Sequence, residues 1–293
     1  MRFLRFLLKE FLLHGILFAV VGTIVLSALY LLSIGTPAKG YLDALTAFLL
    51  MLIGQKDLSQ VGPGFTSGQI IFAGAAQTLP LSLLALIFLI LIALIGGAFA
   101  VTTRYMAVHF GHRGGEKIEK ILSFFVSVFA AVPLFVGFWV LYTIMGHAPL
   151  PVISLATVLL GGLAWDAANF IKTDMLSQVG QTHAIVFSTL GRNRGLMFPT
   201  PGTYSGYLFS SSLPRFIPYL AGKVPAIIGS VTIAEIAFDF PGLGKNLIDA
   251  LINKNTDLLI TSVFILLCIN AIVSFLVKTV LFLIYPRWYE KAI

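Results

Sequence analysis

LPLSLLALIFLILIALIGGAFAV, residues 79–101, contains no charged side chain. As an α-helix it would be about 35 Å long at 1.5 Å per residue, enough to cross the roughly 30 Å hydrocarbon core of a bilayer. Every backbone polar group in that medium has to be satisfied within the segment, and a helix does so. Working outward with the same criterion, about six stretches qualify: 11–32, 79–101, 121–145, 152–171, 216–238 and 258–284. The first runs too long for a signal peptide and lacks its small-residue cleavage site, so it is expected to stay in the membrane. The fifth contains Lys223 and Pro225. A further apolar run, 41–53, is too short to cross and reads either as an interfacial or re-entrant helix or as a loop packed on other helices. The expected fold class is all-α, a polytopic membrane protein in one domain, 1–293.

Composition excludes a soluble fold. Hydrophobic residues make up 58% of the chain and charged residues 11%, against about 25% charged in soluble domains, and the mean hydropathy is +0.97. The net charge of +7 does not point to nucleic acid, because the basic residues sit in short clusters between apolar runs and not along one face. They set topology instead, since Lys and Arg in short connections stay on the cytoplasmic side. One side receives Arg2, Arg5, Lys9, Arg104, Arg113, Lys117, Lys120, Lys172, Arg192, Arg194, Arg215, Lys278, Arg287 and Lys291; the other receives Lys39, Lys56, Lys245 and Lys254. Both termini and the segment 172–215 are therefore expected to be cytoplasmic. Cys268 lies alone in an apolar run and offers neither a disulfide nor a metal cluster.

Chemistry-bearing motifs are sparse. A phosphate-cradling loop needs G-x-x-x-x-G-K-[ST], but Gly244-Lys245 is followed by Asn246, and Asp239 stands where the first Gly belongs. Energy for transport would come from a partner or a gradient. The histidines, at positions 14, 109, 112, 147 and 183, lie in connections and near span ends and do not assemble a base or a metal site. Ionisable groups inside spans are costly and so informative; Asp166, Lys223 and Glu235 are the candidates. Asp166 is either functional or a partner for Lys172 or a nearby amide. Lys223 is either functional or snorkels to the interface. After Glu235, Pro241 stops the helix and Gly242 and Gly244 allow a tight outward turn, with a positive φ expected at Gly242.

The run Ala234-Glu235-Ile236-Ala237-Phe238-Asp239-Phe240-Pro241-Gly242-Leu243-Gly244 resembles the dipeptide/oligopeptide/nickel permease family of binding-protein-dependent ABC importers, whose "B"-type subunits carry a Glu, an apolar-aromatic stretch and Pro-Gly-Leu-Gly between their last two spans. Gln77-Thr78-Leu79-Pro80-Leu81-Ser82-Leu83, similar to the family's Thr-Leu-x-Leu opening of the second span, Gly96-Gly97-Ala98, the run from Leu122 through Pro133 to Gly137, Lys172 to Met175 and Pro286-Arg287 resemble other parts of it. The resemblance implies a type I ABC importer permease fold and half of a translocation pathway for peptides or similar small nutrients. It implies partners as well: a second homologous permease, two ATP-binding subunits and a periplasmic or lipid-anchored substrate-binding protein. ATP and Mg would be bound by those subunits, no cofactor by this chain, and the location would be the bacterial inner membrane, in contact with lipid. In the cytoplasmic loop Gly191 falls where the family has the Gly of its coupling helix, so the resemblance assigns Phe187, Leu190, Gly191, Arg192 and Arg194 to ATPase coupling. Phe187, Thr189 and Leu190 stand where the family prefers Ala, Ala and Lys. Glu235, Pro241, Gly242 and Gly244 are expected to form a gate on the periplasmic side. Two other readings stay open, a gradient-driven transporter or channel with Asp166, Lys223 and Glu235 as its ion relay, and a scaffold that keeps the fold without transport.

The topology is checked by labelling. A cysteine replacing Arg194 is expected to be protected from an impermeant thiol reagent in intact cells and one replacing Lys245 to react; the reverse pattern inverts the orientation.

Overall fold

The computed structural model describes residues 67–110, 131–179, 181–189 and 203–284, with scattered positions between 8 and 50 and between 117 and 130. The helices are α1 (Ser67–Phe110), α2 (Leu134–Met145), α3 (Leu150–Leu160), α4 (Leu163–Gln178), α5 (Thr182–Thr189), α6 (Tyr204–Ala237), α7 (Leu243–Ile252) and α8 (Thr256–Ile284). No strand occurs among the described residues. Three of these helices are long and apolar enough to cross a membrane, or four if the bent pair α3 and α4 counts as one span. The expected span 11–32 is described only in part, and the first part of 121–145 and the run 41–53 fall largely outside the described residues.

α1 is apolar on all sides, the signature of a helix in lipid or in a core. Leu81, Ala85, Leu89 and Ala93 form one i, i+4 ridge with no exposure, while Leu83, Ile87, Leu91 and Ile95 form an exposed ridge. The buried ridge belongs to the main core with Phe138 of α2, Ile153 and Val158 of α3, Ala164, Ala167 and Ile171 of α4, and Leu208, Phe216 and Val231 of α6. Gly96 and Gly97 let α1 close on α4: a Cβ on Gly96 would sit 3.0 Å from Ala168 Cβ, and one on Gly97 would sit 2.7 Å from Ile171 Cγ2. Small residues at crossings are how membrane helices gain packing without a hydrophobic drive between them.

Two expected elements are built differently. Span 152–171 is not one straight helix, because α3 and α4 meet at 61° about Gly161 and Gly162, and Gly162 takes φ +71, open to glycine at little cost. The expected span 216–238 begins earlier. Thr203 caps α6 by accepting from Gly206 N at 3.1 Å, and Tyr204, Leu208 and Ser212 are buried, so packing keeps the helix intact through Pro214, Pro218 and Pro225. The segment 172–215 is accordingly no single loop. Its start finishes α4, its middle holds α5 and its end opens α6.

α7 lies against α1, α6 and α8, with Leu243 packed among Val224, Ile228, Ile269 and Val273 and Ala250 on Ile71 and Leu258. Lys278 of α8 donates to Glu10 at 3.0 Å, bringing together two residues that the charge pattern puts on the same membrane side.

Gly97→Leu should force the α1–α4 crossing apart, at about 1–3 kcal/mol for overpacking. A thermal-unfolding comparison in detergent should show a lowered midpoint, with little change for Gly229→Leu, where a Cβ meets nothing within 4 Å. Equal midpoints would mean that the crossing is looser than described.

Candidate functional site

The turn after α6 is assembled around one carboxylate. Glu235 lies in the last turn of α6 and has no exposed surface. Its Oε1 accepts from Thr78 Oγ1 of α1 at 2.6 Å, and its Oε2 accepts from Gly244 N at 2.7 Å. The Thr78 hydroxyl also accepts from Leu243 N at 2.9 Å. Leu243 and Gly244 begin α7, where backbone N–H groups have no partner within the helix, and a carboxylate at such an end also meets the positive end of the helix dipole. One side chain and one hydroxyl thus satisfy two orphan donors and join three helices.

The glycines fit this knot by their lack of side chains. A Cβ on Gly242 would overlap the Glu235 carboxyl group, and one on Gly244 would overlap the Thr232 carbonyl oxygen. On the opposite wall, a Cβ on Gly74 would sit 2.6 Å from Asn246 Nδ2 and 3.3 Å from Leu243 N. The expected positive φ is not at Gly242, which is extended at φ −116; it falls on Asp239, at φ 53. Asp tolerates that region better than most residues, and the chain reverses there while Phe240 N donates to Glu235 O at 2.8 Å and Gly242 N to Phe240 O at 2.7 Å. Phe238 anchors the turn, edge-on to Phe138 at 5.8 Å and to Tyr142 at 6.0 Å. Lys245 pairs with Asp239 on the surface, and this hydrogen bond holds the Lys245 ammonium above its usual pKa. Pro241 sits exposed beside them.

Asp166 and Lys223 meet each other. Lys223 Nζ of α6 donates to Asp166 Oδ2 of α4 and lies 5.1 Å from the Tyr219 ring centroid, a cation–π distance. Phe170 stacks on Tyr219 at 4.2 Å. The partner of Asp166 is therefore Lys223 and not Lys172, and Lys223 pairs across the helices where snorkelling was an alternative.

Below this pair α4 and α6 are tied by polar groups. Arg215 Nη1 lies 3.0 Å from Asp174 Oδ1, and Gln178 Nε2 donates to Asp174 Oδ2 at 2.9 Å and to Ser212 Oγ at 2.8 Å. Ser211 donates to Gln178 Oε1. α5 follows at the foot of α4. Phe187, expected to bury against a partner or against the permease itself, stacks on Tyr207 of α6 at 4.3 Å, because a neighbouring aromatic face is within reach of the short helix. Ile185 and Val186 are 51% and 53% exposed. Gln181, Thr182, His183, Val186, Phe187 and Tyr207 line an open groove of about 690 Å³. Leu190, Gly191, Arg192 and Arg194 lie outside the described residues.

Gln178 and Ser212 are not singled out by their sequence context, and Thr78 enters only as part of the stretch that resembles the family's second span, with no role assigned to it.

Residues 105–288 match the family described as "Binding-protein-dependent transport system inner membrane component". The chain is 30% identical over 81 residues to the oligopeptide transport system permease protein AmiC of Streptococcus pneumoniae, in both the TIGR4 and the R6 strain. The aligned part covers 28% of this chain and 16% of the length of each of these relatives.

If the knot is as described, Gly242→Ala fails because of the Glu235 side chain and not because of backbone strain. In a double-mutant cycle, Gly242→Ala should cost about 1–3 kcal/mol beside Glu235 and clearly less in a Glu235→Ala background. Additive losses in unfolding stability would contradict the overlap.

Proposed function

The chain belongs to the family of binding-protein-dependent transport system inner membrane components, and from that premise we propose that it forms half of an import pathway for peptides or similar small nutrients. It is a multi-pass membrane protein and a transport subunit. The peptide assignment draws on the name of the relatives, an oligopeptide transport permease. The proposed assembly holds a second homologous permease, two ATP-binding subunits that carry the ATP and Mg, and a periplasmic or lipid-anchored binding protein, in the inner membrane of a bacterium with both termini cytoplasmic.

The observation that carries the coupling part of this reading is the short helix α5, which stands between α4 and α6 and exposes Ile185 and Val186 beside an open groove. In the proposed cycle, ATP binding closes the ATPase subunits and shifts α5, and the permease pair alternates between outward and inward openings. α5 reaches the spans through the Phe187–Tyr207 stack, which leads into α6, and just before α5 in the chain the Asp174–Gln178–Ser212–Arg215 group couples α4 to α6. At the other end Glu235, Pro241, Gly242 and Gly244 form the outer gate, which moves as one piece with α1, α6 and α7 because Glu235 and Thr78 bind all three. Gly191, Arg192, Arg194 and Leu190 extend the docking surface beyond α5 in this reading.

The chain, tagged and expressed with its neighbouring genes, should copurify with an ATP-hydrolysing subunit. Ile185→Glu with Val186→Glu should abolish that association, at least about tenfold in affinity for loss of two apolar contacts, while the variant still inserts and unfolds at an unchanged midpoint. Retained ATPase binding in this variant would place docking elsewhere.

A further inference from the structure

The helices differ in what they leave exposed. On α1 the exposed ridge is Leu83, Ile87, Leu91 and Ile95, and on α8 it includes Ile272 and Leu276; such faces suit lipid. On α4 the exposed residues are Asp166, Asn169, Thr173 and Ser177. Spaced at i, i+3, i+7 and i+11, they share one face and make a polar stripe about 16 Å long. At its upper end stands the Asp166–Lys223 pair, with side chains 57% and 26% exposed. Beside it α6 exposes Pro218, Gly222 and Pro225, and a Cβ on Gly222 would meet nothing within 4 Å. Lys223 sits near the middle of the 34-residue apolar helix α6, and Asp166 in the first turn of α4. An exposed charge on the face of an apolar helix is expensive against lipid and is found where that face turns to a bundle interior or a water-filled cavity.

We propose that the α4 stripe and the Asp166–Lys223 pair form this chain's wall of the aqueous translocation path, and that the pair is a transit contact for solutes carrying both an ammonium and a carboxylate. The inference rests on the reading of the chain as half of an import pathway, and adds the residues and the charge pattern of the cargo. An ammonium group of a passing solute exchanges onto Asp166 while its carboxylate meets Lys223, so neither protein charge is left unpaired during passage. The Tyr219 ring, 5.1 Å from Lys223 Nζ, keeps the ammonium in place when its carboxylate is shared. The open space at Gly222 leaves room for side chains of different size.

The test has two arms in the assembled complex, reconstituted in vesicles from a Cys268→Ser background. In the first, Asn169→Cys and Leu91→Cys are treated with a charged, water-soluble methanethiosulfonate. The thiol introduced at position 169 should react and the one at position 91 should not; an unreactive Asn169→Cys variant overturns the pathway placement whatever the protein carries, since it means that lipid or a partner subunit covers the stripe. In the second, Asp166→Asn with Lys223→Met removes both charges without leaving one unpaired. Uptake of trialanine relative to N-acetyl-trialanine amide should fall about tenfold, the worth of one charged hydrogen bond, with insertion and ATPase association retained. Equal change for the two peptides overturns the transit contact, as does swapping the pair, Asp166→Lys with Lys223→Asp, if it fails to restore the preference. A wild-type complex that hydrolyses ATP but takes up neither peptide contradicts the peptide reading and the transit contact together, and leaves the labelling result to decide the pathway wall.

Discussion

A carboxylate buried in the last turn of a membrane helix has to find hydrogen-bond donors or destabilise the fold that holds it. Glu235 finds them in Thr78 and Gly244. That requirement explains much of the surrounding architecture. α7 must begin against α6, so that its free N–H groups face the carboxylate. α1 must pass close enough for Thr78 to bridge. Gly74, Gly242 and Gly244 must lack side chains where these elements meet. The aromatic contacts of Phe238 then fix the turn against α2, and three helices meet at the knot.

The opposite end is held by a different device. Asp174, Gln178, Ser212 and Arg215 join α4 to α6 by side chains alone, and the helix dipoles play no part. Between the two ends, α4 and α6 are linked by the Asp166–Lys223 pair and by the Phe170–Tyr219 stack. Removing one partner of a hydrogen-bonded charge pair leaves the other exposed to an unfavourable medium, and so costs more than the pair is worth. This asymmetry makes the polar groups of the spans few and mutually dependent.

How far residues alone reveal such a structure depends on the range of the interaction. Spans are legible because lipid imposes a length and a composition on each segment separately, and 79–101 and 258–284 are readable for that reason. Glu235, Pro241, Gly242 and Gly244 stand within one short run, so their association is also readable. Thr78 is 157 positions from Glu235, and nothing local to it announces the contact. Hydropathy places the start of α6 too late because Ser210, Ser211, Ser212 and Arg215 lower it there; two of those polar groups are satisfied by Gln178 and one by Asp174, which only the packed helices show. Gly242 invites a left-handed assignment because glycine after proline suggests a turn. Its actual constraint is the Glu235 carboxylate lying where a side chain would be, and the left-handed residue is Asp239.

Amide exchange at the start of α7 reports the central claim most directly. The first N–H groups of a helix have no partner within it and normally exchange fast. Hydrogen–deuterium exchange should find Leu243 and Gly244 protected in the native protein, with Gly244 released in Glu235→Ala and Leu243 released in Thr78→Val, while the middle of α7 stays protected in both. Fast exchange at these two amides in the native protein would contradict the knot on which this end of the fold is built.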